Sequence, residues 1–174
     1  MRHQGSSSTP VVECINKRLG KWRVRCDYVI EDNEKESVSF EESDFSHKPT
    51  IEEVQDFVVG VENGKIDLAI LSGFEWNGMK VWLSSENQFN YKAAYDLAVQ
   101  TNGASLPVTF KFGDSTPVYH TFETLEEISD FYTSAMSYVN KTLADGWSKK
   151  DSLDWSEYER LLTNADEIDS AQFG

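Results

Sequence analysis

The sequence predicts an α+β fold in which antiparallel β-hairpins pack against helices. Three observations lead to this prediction. Several segments alternate apolar and polar residues, as half-buried strands do; others place apolar residues at three- and four-residue spacing, as amphipathic helices do; and turn dipeptides separate them. The predicted order is strand pair, helix, strand pair, helix, strand pair and two helices. Hairpins joined by helices favour antiparallel pairing within an α+β layout.

The composition is that of a folded protein with an acidic surface. The 174 residues are 39% hydrophobic and 13% aromatic, which is enough for a core, and the formal net charge is −14. This charge argues against nucleic-acid binding by the body of the protein. We find no run of about 18 apolar residues and no secretory signal, so we expect no membrane association and synthesis in a cytoplasm. Cys14 and Cys26 are then expected to be free thiols.

The first hairpin is predicted from alternation. Residues 1–12 are polar and are expected to form a flexible arm. From Lys21 onward apolar residues occupy every second position, and a polar turn over 31–36 leads to a second strand with Val38 and Phe40. The apolar side of the first strand consists of Trp22, Val24, Cys26 and Tyr28.

The first helix is predicted to begin at a capping box formed by Thr50 and Glu53. We expect Asn63–Gly64 to break or kink it, a helical turn over 66–71 to follow, and Gly73 to end it.

Asn77–Gly78 is the strongest local signal, because a two-residue type I′ turn needs positive φ at both central positions. A capping box of Ser85 and Gln88 is expected to start the next helix. Its apolar residues are Phe89, Tyr91, Ala93, Tyr95, Leu97 and Ala98.

A third hairpin is predicted over 106–122. A long helix should start at a capping box of Thr124 and Glu127 and stop at Asp145–Gly146, before a last short helix over 155–162.

These elements suggest four segments. They are a flexible arm (1–12), an N-terminal lobe with a β-hairpin and a helix (13–72), a C-terminal α+β domain (73–163) and an acidic tail (164–174). Gly73 is the predicted joint between the two larger segments.

No local motif predicts catalysis, a metal or a cofactor. The three histidines His3, His47 and His120 are scattered. GxSxG, a calcium loop and the glycine-rich phosphate-binding motifs do not occur. Adjacent acids fall in predicted first helical turns, where the helix dipole favours them. We therefore expect a protein that is not an enzyme and that binds neither metal nor cofactor.

Basic residues are concentrated near the beginning of the chain. Residues 1–25 have a net charge of +5 and the remainder −19. The candidate partner-binding residues here are Arg18, Lys21, Arg23 and Arg25, which could reach an acidic surface of a neighbouring copy. Alternatively, they only solvate the outer face of a strand.

Trp82 is a further candidate contact. Its parity in the predicted hairpin is opposite to that of Val81 and Leu83, so it should face outward. Exposed tryptophan is enriched where binding energy is concentrated. The alternatives are that another part of the chain covers it, or that it contacts a carbohydrate.

A resemblance adds to these expectations. The segments GFEWNGMKVWLSSENQFNYKAAYDLAVQ, LPVTFKF and VYHTFETLEEISDFYTSAMSYVNKTLADGW, within residues 73–153, resemble an uncharacterised domain of tailed phages and prophages. That domain often lies near the C-terminus of tail-fibre or fibre-assembly proteins. The segments KWRVRCDYVI and PTIEEV resemble the N-terminal part of proteins from Bacteroides-type prophages.

The resemblance implies a non-enzymatic virion protein associated with the tail, baseplate or fibre. It would dock onto other phage structural proteins and form homo- or hetero-oligomers. One alternative is a fibre-assembly chaperone that is not retained in the virion. Another is a cell-wall hydrolase, which would need two carboxylates facing one cleft. A DNA-mimicking inhibitor is disfavoured, because the acids are spread over several elements.

Overall fold

The computed structural model describes residues 2–32, 36–113 and 116–171, the last seven of these by backbone alone. The α+β prediction is confirmed, with antiparallel sheets and helices. The strands are β1 (His3–Ser6), β2 (Val12–Asn16), β3 (Lys21–Asp32), β4 (Ser37–Phe45), β5 (Phe74–Trp76), β6 (Met79–Val81), β7 (Val108–Phe112) and β8 (Val118–Phe122). The helices are α1 (Ile51–Ser72), α2 (Ser85–Gln100), α3 (Leu125–Asp151) and α4 (Ser156–Ala171).

The chain divides into two compact units. Unit 1 contains residues 1–62 and 152–174, and unit 2 contains residues 63–151. The division falls within α1, ten residues before the joint predicted at Gly73. Gly73 serves a different purpose, because a Cβ there would lie 2.2 Å from the hydroxyl oxygen of Tyr138. That hydroxyl donates a hydrogen bond to the carbonyl of Ala69 (2.8 Å), so Gly73 allows close packing within unit 2.

Unit 1 is built on a four-stranded antiparallel sheet of order β1-β4-β3-β2. The predicted alternation of β3 is confirmed as far as Cys26, since Trp22, Val24 and Cys26 are buried. These three residues pack with Val54 and Val58 of α1, but Tyr28 is half-buried and contacts Phe40 instead of this cluster. A β-bulge follows Cys26, where Asp27 has a φ of +56°.

Residues 3–6 are not a free arm as predicted. They form β1, which pairs with β4 from His3 opposite Phe40 to Ser6 opposite Ser37. A Cβ on Gly5 would lie 2.8 Å from the ring of Phe40, so only glycine lets this edge strand lie close against that ring. Of the turn predicted over 31–36, residues 33–35 lie outside the described residues.

Unit 2 consists of the second part of α1, the β5–β6 and β7–β8 hairpins, α2 and α3. The predicted type I′ turn is confirmed, with φ of +49° at Asn77 and +74° at Gly78. Phe131 of α3 is fully buried and lies with its ring centroid 5.0 to 5.3 Å from four other rings. These rings belong to Trp76, Tyr91, Phe112 and Phe122.

Two helices continue where glycine was expected to stop them. α1 runs unbroken through Asn63–Gly64, and α3 runs through Asp145–Gly146 to Asp151. A Cβ on Gly146 would lie 2.3 Å from Cδ1 of Ile66, so this glycine allows two helices to approach closely. A Cβ on Gly64 would meet nothing within 4 Å. α4 likewise extends to Ala171, into the tail predicted from residue 164.

The capping predictions have different outcomes. At α1 the reciprocal bonds between Thr50 and Glu53 form as predicted. At α3 the Thr124 hydroxyl accepts from the Glu127 amide (3.2 Å). At α2 the prediction is wrong by one residue: Ser84 is the cap, and its hydroxyl accepts from the amide of Asn87.

Candidate protein-binding surfaces

Arg25 is part of the interior of unit 1. Its guanidinium donates hydrogen bonds to Glu42 (3.0 Å), Glu13 (2.5 Å) and the carbonyl of Pro10 (2.8 Å). It also lies 5.2 Å from the centroid of the Phe40 ring, and its side chain is only 6% exposed. All these contacts lie within the sheet and the segment leading to it, so Arg25 has a structural role and little surface to offer a partner.

Arg23 is also paired within the sheet. Its guanidinium donates two hydrogen bonds to the carboxylate of Asp44, at 2.6 and 2.9 Å. The hydrogen bond raises the pKa of Arg23 and lowers the pKa of Asp44. Because the Asp44 side chain is 54% exposed, solvent screens this pair. Arg23 is half-buried and its charge is already matched.

Arg18 and Lys21 are exposed at the tip of the β2–β3 hairpin. The tip is a 3₁₀ turn over Lys17–Leu19. The Asn16 side chain accepts a hydrogen bond from the amide of Leu19 (3.1 Å), and the following Gly20 has a φ of +62°. Residues at both ends of the turn therefore fix its shape. Lys17 and Leu19 are exposed as well, and the sequence interpretation overlooked them.

Trp82 lies in unit 2 and is 46% exposed, while Val81 and Leu83 on either side are buried. This agrees with the predicted parity. The Trp82 carbonyl accepts a hydrogen bond from the side-chain amide of Asn87 (2.8 Å), which fixes the backbone between β6 and α2. The predicted residues thus divide between the units, with the four cations in unit 1 and Trp82 in unit 2.

A groove of about 640 Å³ lies next to this segment within unit 2. Its apolar lining comes from α1, from Leu83 two residues after β6, and from α3. Its polar lining comes mainly from the start of α2 and the residue before it. The lining residues are Gly64, Asp67, Leu68, Ile70, Leu71, Leu83, Ser84, Ser85, Gln88, Val139 and Leu143. Six of the eleven lining residues are apolar and four are polar, so the groove can take an apolar side chain from a segment that also offers polar groups.

Exposed apolar residues accompany the groove. Leu68, which lines it, is 61% exposed, and Phe89 of α2 is 71% exposed. Ser85 lines the groove, and Phe89 comes four residues after it in α2. Residues four apart lie on the same side of a helix, so Phe89 lies on the same side of α2 as Ser85. Phe89 and Leu97, two of the apolar residues noted in α2, are exposed. α2 buries Tyr91 and Ala98 instead, because aromatic rings of the core pack around Tyr91.

His120 of β8 has an acidic neighbour that no local motif predicted. Its Nε2 lies 2.9 Å from Oε1 of Glu127, the residue whose amide is capped at the start of α3. The imidazole ring contacts Trp76 edge-on at 5.1 Å and stacks on Phe112 at 6.2 Å. The pair therefore connects β8 to α3 at the margin of the aromatic core.

A smaller cavity of about 420 Å³ lies in unit 1. Its lining is Ser7, Ser8, Thr9, Pro10, Val11, Tyr28, Val38 and Glu157. The Tyr28 hydroxyl donates to the Thr9 carbonyl (3.2 Å), and burial raises the pKa of Tyr28 to about 12. This phenol is therefore neutral and hydrogen-bonded near pH 7, and it is not a general base.

Within the part of the chain that the structure describes, no group of three His, Cys, Asp or Glu residues is placed to hold a metal ion. No helix among the described residues has the length and hydrophobicity needed to cross a membrane. Comparisons with protein-family models, curated proteins and solved structures find no match to this chain.

Proposed function

We propose that this chain is a non-enzymatic structural protein of a tailed-phage particle, associated with the tail, baseplate or fibre, and that it docks onto other phage structural proteins. The observation that carries the proposal is the open, partly apolar groove of unit 2 together with the exposed side chain of Phe89.

The groove supports docking for an energetic reason. Complete burial of a leucine or phenylalanine side chain contributes about 1.5–3 kcal/mol, and Leu68 and Phe89 are mostly in contact with water here. A protein segment that covers both and places an apolar side chain over Leu83 and Val139 would gain this free energy. An amphipathic helix lying in the groove is one such segment.

The phage assignment is supported by the resemblance in residues 73–153. This stretch contains the groove residues contributed by α2 and α3, together with Phe89 and Trp82. The proposed contact surface is thus formed largely by the part of the chain that resembles the phage domain.

Mass spectrometry of purified particles from the bacterium that encodes this chain tests the proposal. We expect the chain at a fixed ratio to the tail proteins. A chain that binds fibre protein in lysates but is missing from particles would support the assembly-chaperone alternative. Release of soluble fragments from purified cell walls by the chain alone would support the hydrolase alternative.

The groove itself is tested by Leu68→Asp combined with Phe89→Asp. Both positions are exposed, so the variant should fold, and its incorporation into particles should fall at least tenfold, since about 1.4 kcal/mol of binding free energy corresponds to a factor of ten. Val118→Asp combined with Tyr119→Asp is the matched control, because these β8 residues are 40% and 70% exposed but do not line the groove. Equal incorporation of the two variants would contradict the assignment.

A further inference from the structure

The two ends of β3 differ in charge. Lys21 begins this strand and belongs to what we call the cationic tip: Lys17, Arg18, Leu19 and Lys21. Asp32 ends it and belongs to what we call the acidic end: Val29, Ile30, Glu31, Asp32 and Glu36. Twelve residues at about 3.3 Å each separate the two ends by roughly 35 Å.

Each end combines charge with an exposed apolar side chain. The cationic tip carries three positive charges around Leu19, which is 60% exposed. Among the described residues, the acidic end carries Glu31, Asp32 and Glu36 together with Ile30, which is 65% exposed, and the Glu31 carboxylate accepts a hydrogen bond from the Ser39 hydroxyl. The two surfaces have opposite charge and each includes an exposed apolar side chain, and both features are typical of complementary protein interfaces.

The cations of the tip are less closely paired with carboxylates of the sheet than Arg23 and Arg25 are. Arg25 and Arg23 have carboxylate partners at 2.5 to 3.0 Å. Lys21, in contrast, acts on Asp44 only through a weaker electrostatic effect that lowers the pKa of that carboxyl. Because Asn16 and Gly20 hold the turn in one conformation, docking it costs little conformational entropy.

We propose that copies of this chain associate head to tail, with the cationic tip of one copy on the acidic end of the next. Such a contact joins two different surfaces, so it generates a closed ring or an extended filament according to the rotation between copies. The net charge of −14 makes two copies repel each other at long range. At physiological salt the screening length is about 8 Å, so this repulsion is largely screened and the attraction between the two surfaces in contact outweighs it.

Other acceptors for the tip fit less well. A surface of anionic lipid is recognised by clusters of about four to eight cations, and the tip has three. Nucleic acid would be repelled by the acidic remainder of the chain. The apolar Leu19 side chain also fits a protein surface better than a row of phosphates.

Sedimentation velocity of the full chain over a range of concentrations tests the proposal. The average mass should rise above the 19.8 kDa of one chain as concentration increases. At about 1 M salt, where the screening length is about 3 Å, association should weaken. A single species of one chain at every concentration, or binding of the tip to phosphatidylserine vesicles or duplex DNA without self-association, would overturn the proposal.

Charge reversal identifies the surfaces. Lys17→Glu with Arg18→Glu, and separately Glu31→Lys with Glu36→Lys, should each shift association to at least tenfold higher concentration. Lys92→Glu with Lys111→Glu makes the same charge change as the first pair at exposed positions of unit 2, and it should have a smaller effect.

Mixing the two charge-reversed variants separates a lost contact from a misfolded chain. In the mixture each acidic surface again meets a basic one, so association should return. A chain carrying all four reversals should also associate. Two variants that stay monomeric when mixed would overturn the proposal. The groove of unit 2 takes no part, so Leu68→Asp with Phe89→Asp should leave self-association unchanged, and this proposal can fail independently of the proposed function.

Discussion

The two units have cores of different chemistry. In unit 1 the ring of Phe40 is covered by a guanidinium, and that guanidinium is neutralised by two carboxylates on neighbouring strands. In unit 2 a buried ring is covered by other rings, since Phe131 contacts four aromatic neighbours. The comparison shows that a buried ring can be covered either by a charged side chain or by other rings, and that the two arrangements differ in desolvation free energy.

The cost differs because of desolvation. A buried ring gains free energy from leaving water and from edge-to-face contact with its neighbours. A buried arginine first loses hydration, and its hydrogen bonds with carboxylates mainly recover that loss. Unit 2 should therefore depend on shape and volume, whereas in unit 1 the packing around Phe40, apart from the apolar cluster of Trp22, Val24 and Cys26, should depend on the partners of Arg25.

The largest expected effect is in unit 2. Phe131→Ala removes a fully buried ring from the centre of the aromatic cluster, so we expect the free energy of unfolding to fall by about 4 kcal/mol. Chemical denaturation followed by tryptophan fluorescence measures it. Phe89→Ala is the control, and this exposed ring should cost less than about 0.5 kcal/mol. Similar losses for both would contradict the described core.

A smaller effect is expected in unit 1. Arg25→Ala removes the buried partner of Glu42, whose side chain is 11% exposed and which keeps Arg23 at 3.4 Å, so it should cost at most about 3 kcal/mol. Arg23→Ala removes the neighbouring cation from a more exposed pair and should cost at most about 1 kcal/mol. The same denaturation experiment measures both. If Arg23→Ala proved the more damaging, burial would not be what distinguishes the two arginines.

The sequence predicts local structure in both units better than contacts between distant segments. Asn77–Gly78 and the pair Thr50 and Glu53 determine a turn and a cap by themselves, and both form as predicted. α3 continues through Gly146, where the missing side chain leaves room for Ile66, 80 positions away, and no local pattern reveals that contact.

For the candidate surfaces too, features that depend on local sequence could be predicted and features that combine distant segments could not. The outward direction of Trp82 follows from strand parity and could be predicted. The groove could not, because it combines residues from 64 to 143, and Phe89 looks like a core residue when α2 is considered alone. The burial of Arg25 was missed because alternation places it on the polar face, and only the pairing with β2 and β4 encloses it.

The smallest expected effect concerns pH and the exposed ion pair of unit 1. The hydrogen bond from Arg23 lowers the pKa of Asp44 below its ordinary value of 3.8. The folded state therefore holds the Asp44 proton less tightly than the unfolded state does. The resulting stabilisation is present above the unfolded pKa and is lost as the pH falls through the folded pKa.

Asp44→Asn removes this contribution. The variant should be less stable than the natural chain by under about 1 kcal/mol near pH 7, because the pair is exposed, and the difference should shrink as the pH falls below about 4. Denaturant titrations of both proteins at a series of acidic pH values measure it. A difference that does not change with pH would mean that packing of the Asp44 side chain, and not its charge, stabilises the end of β4.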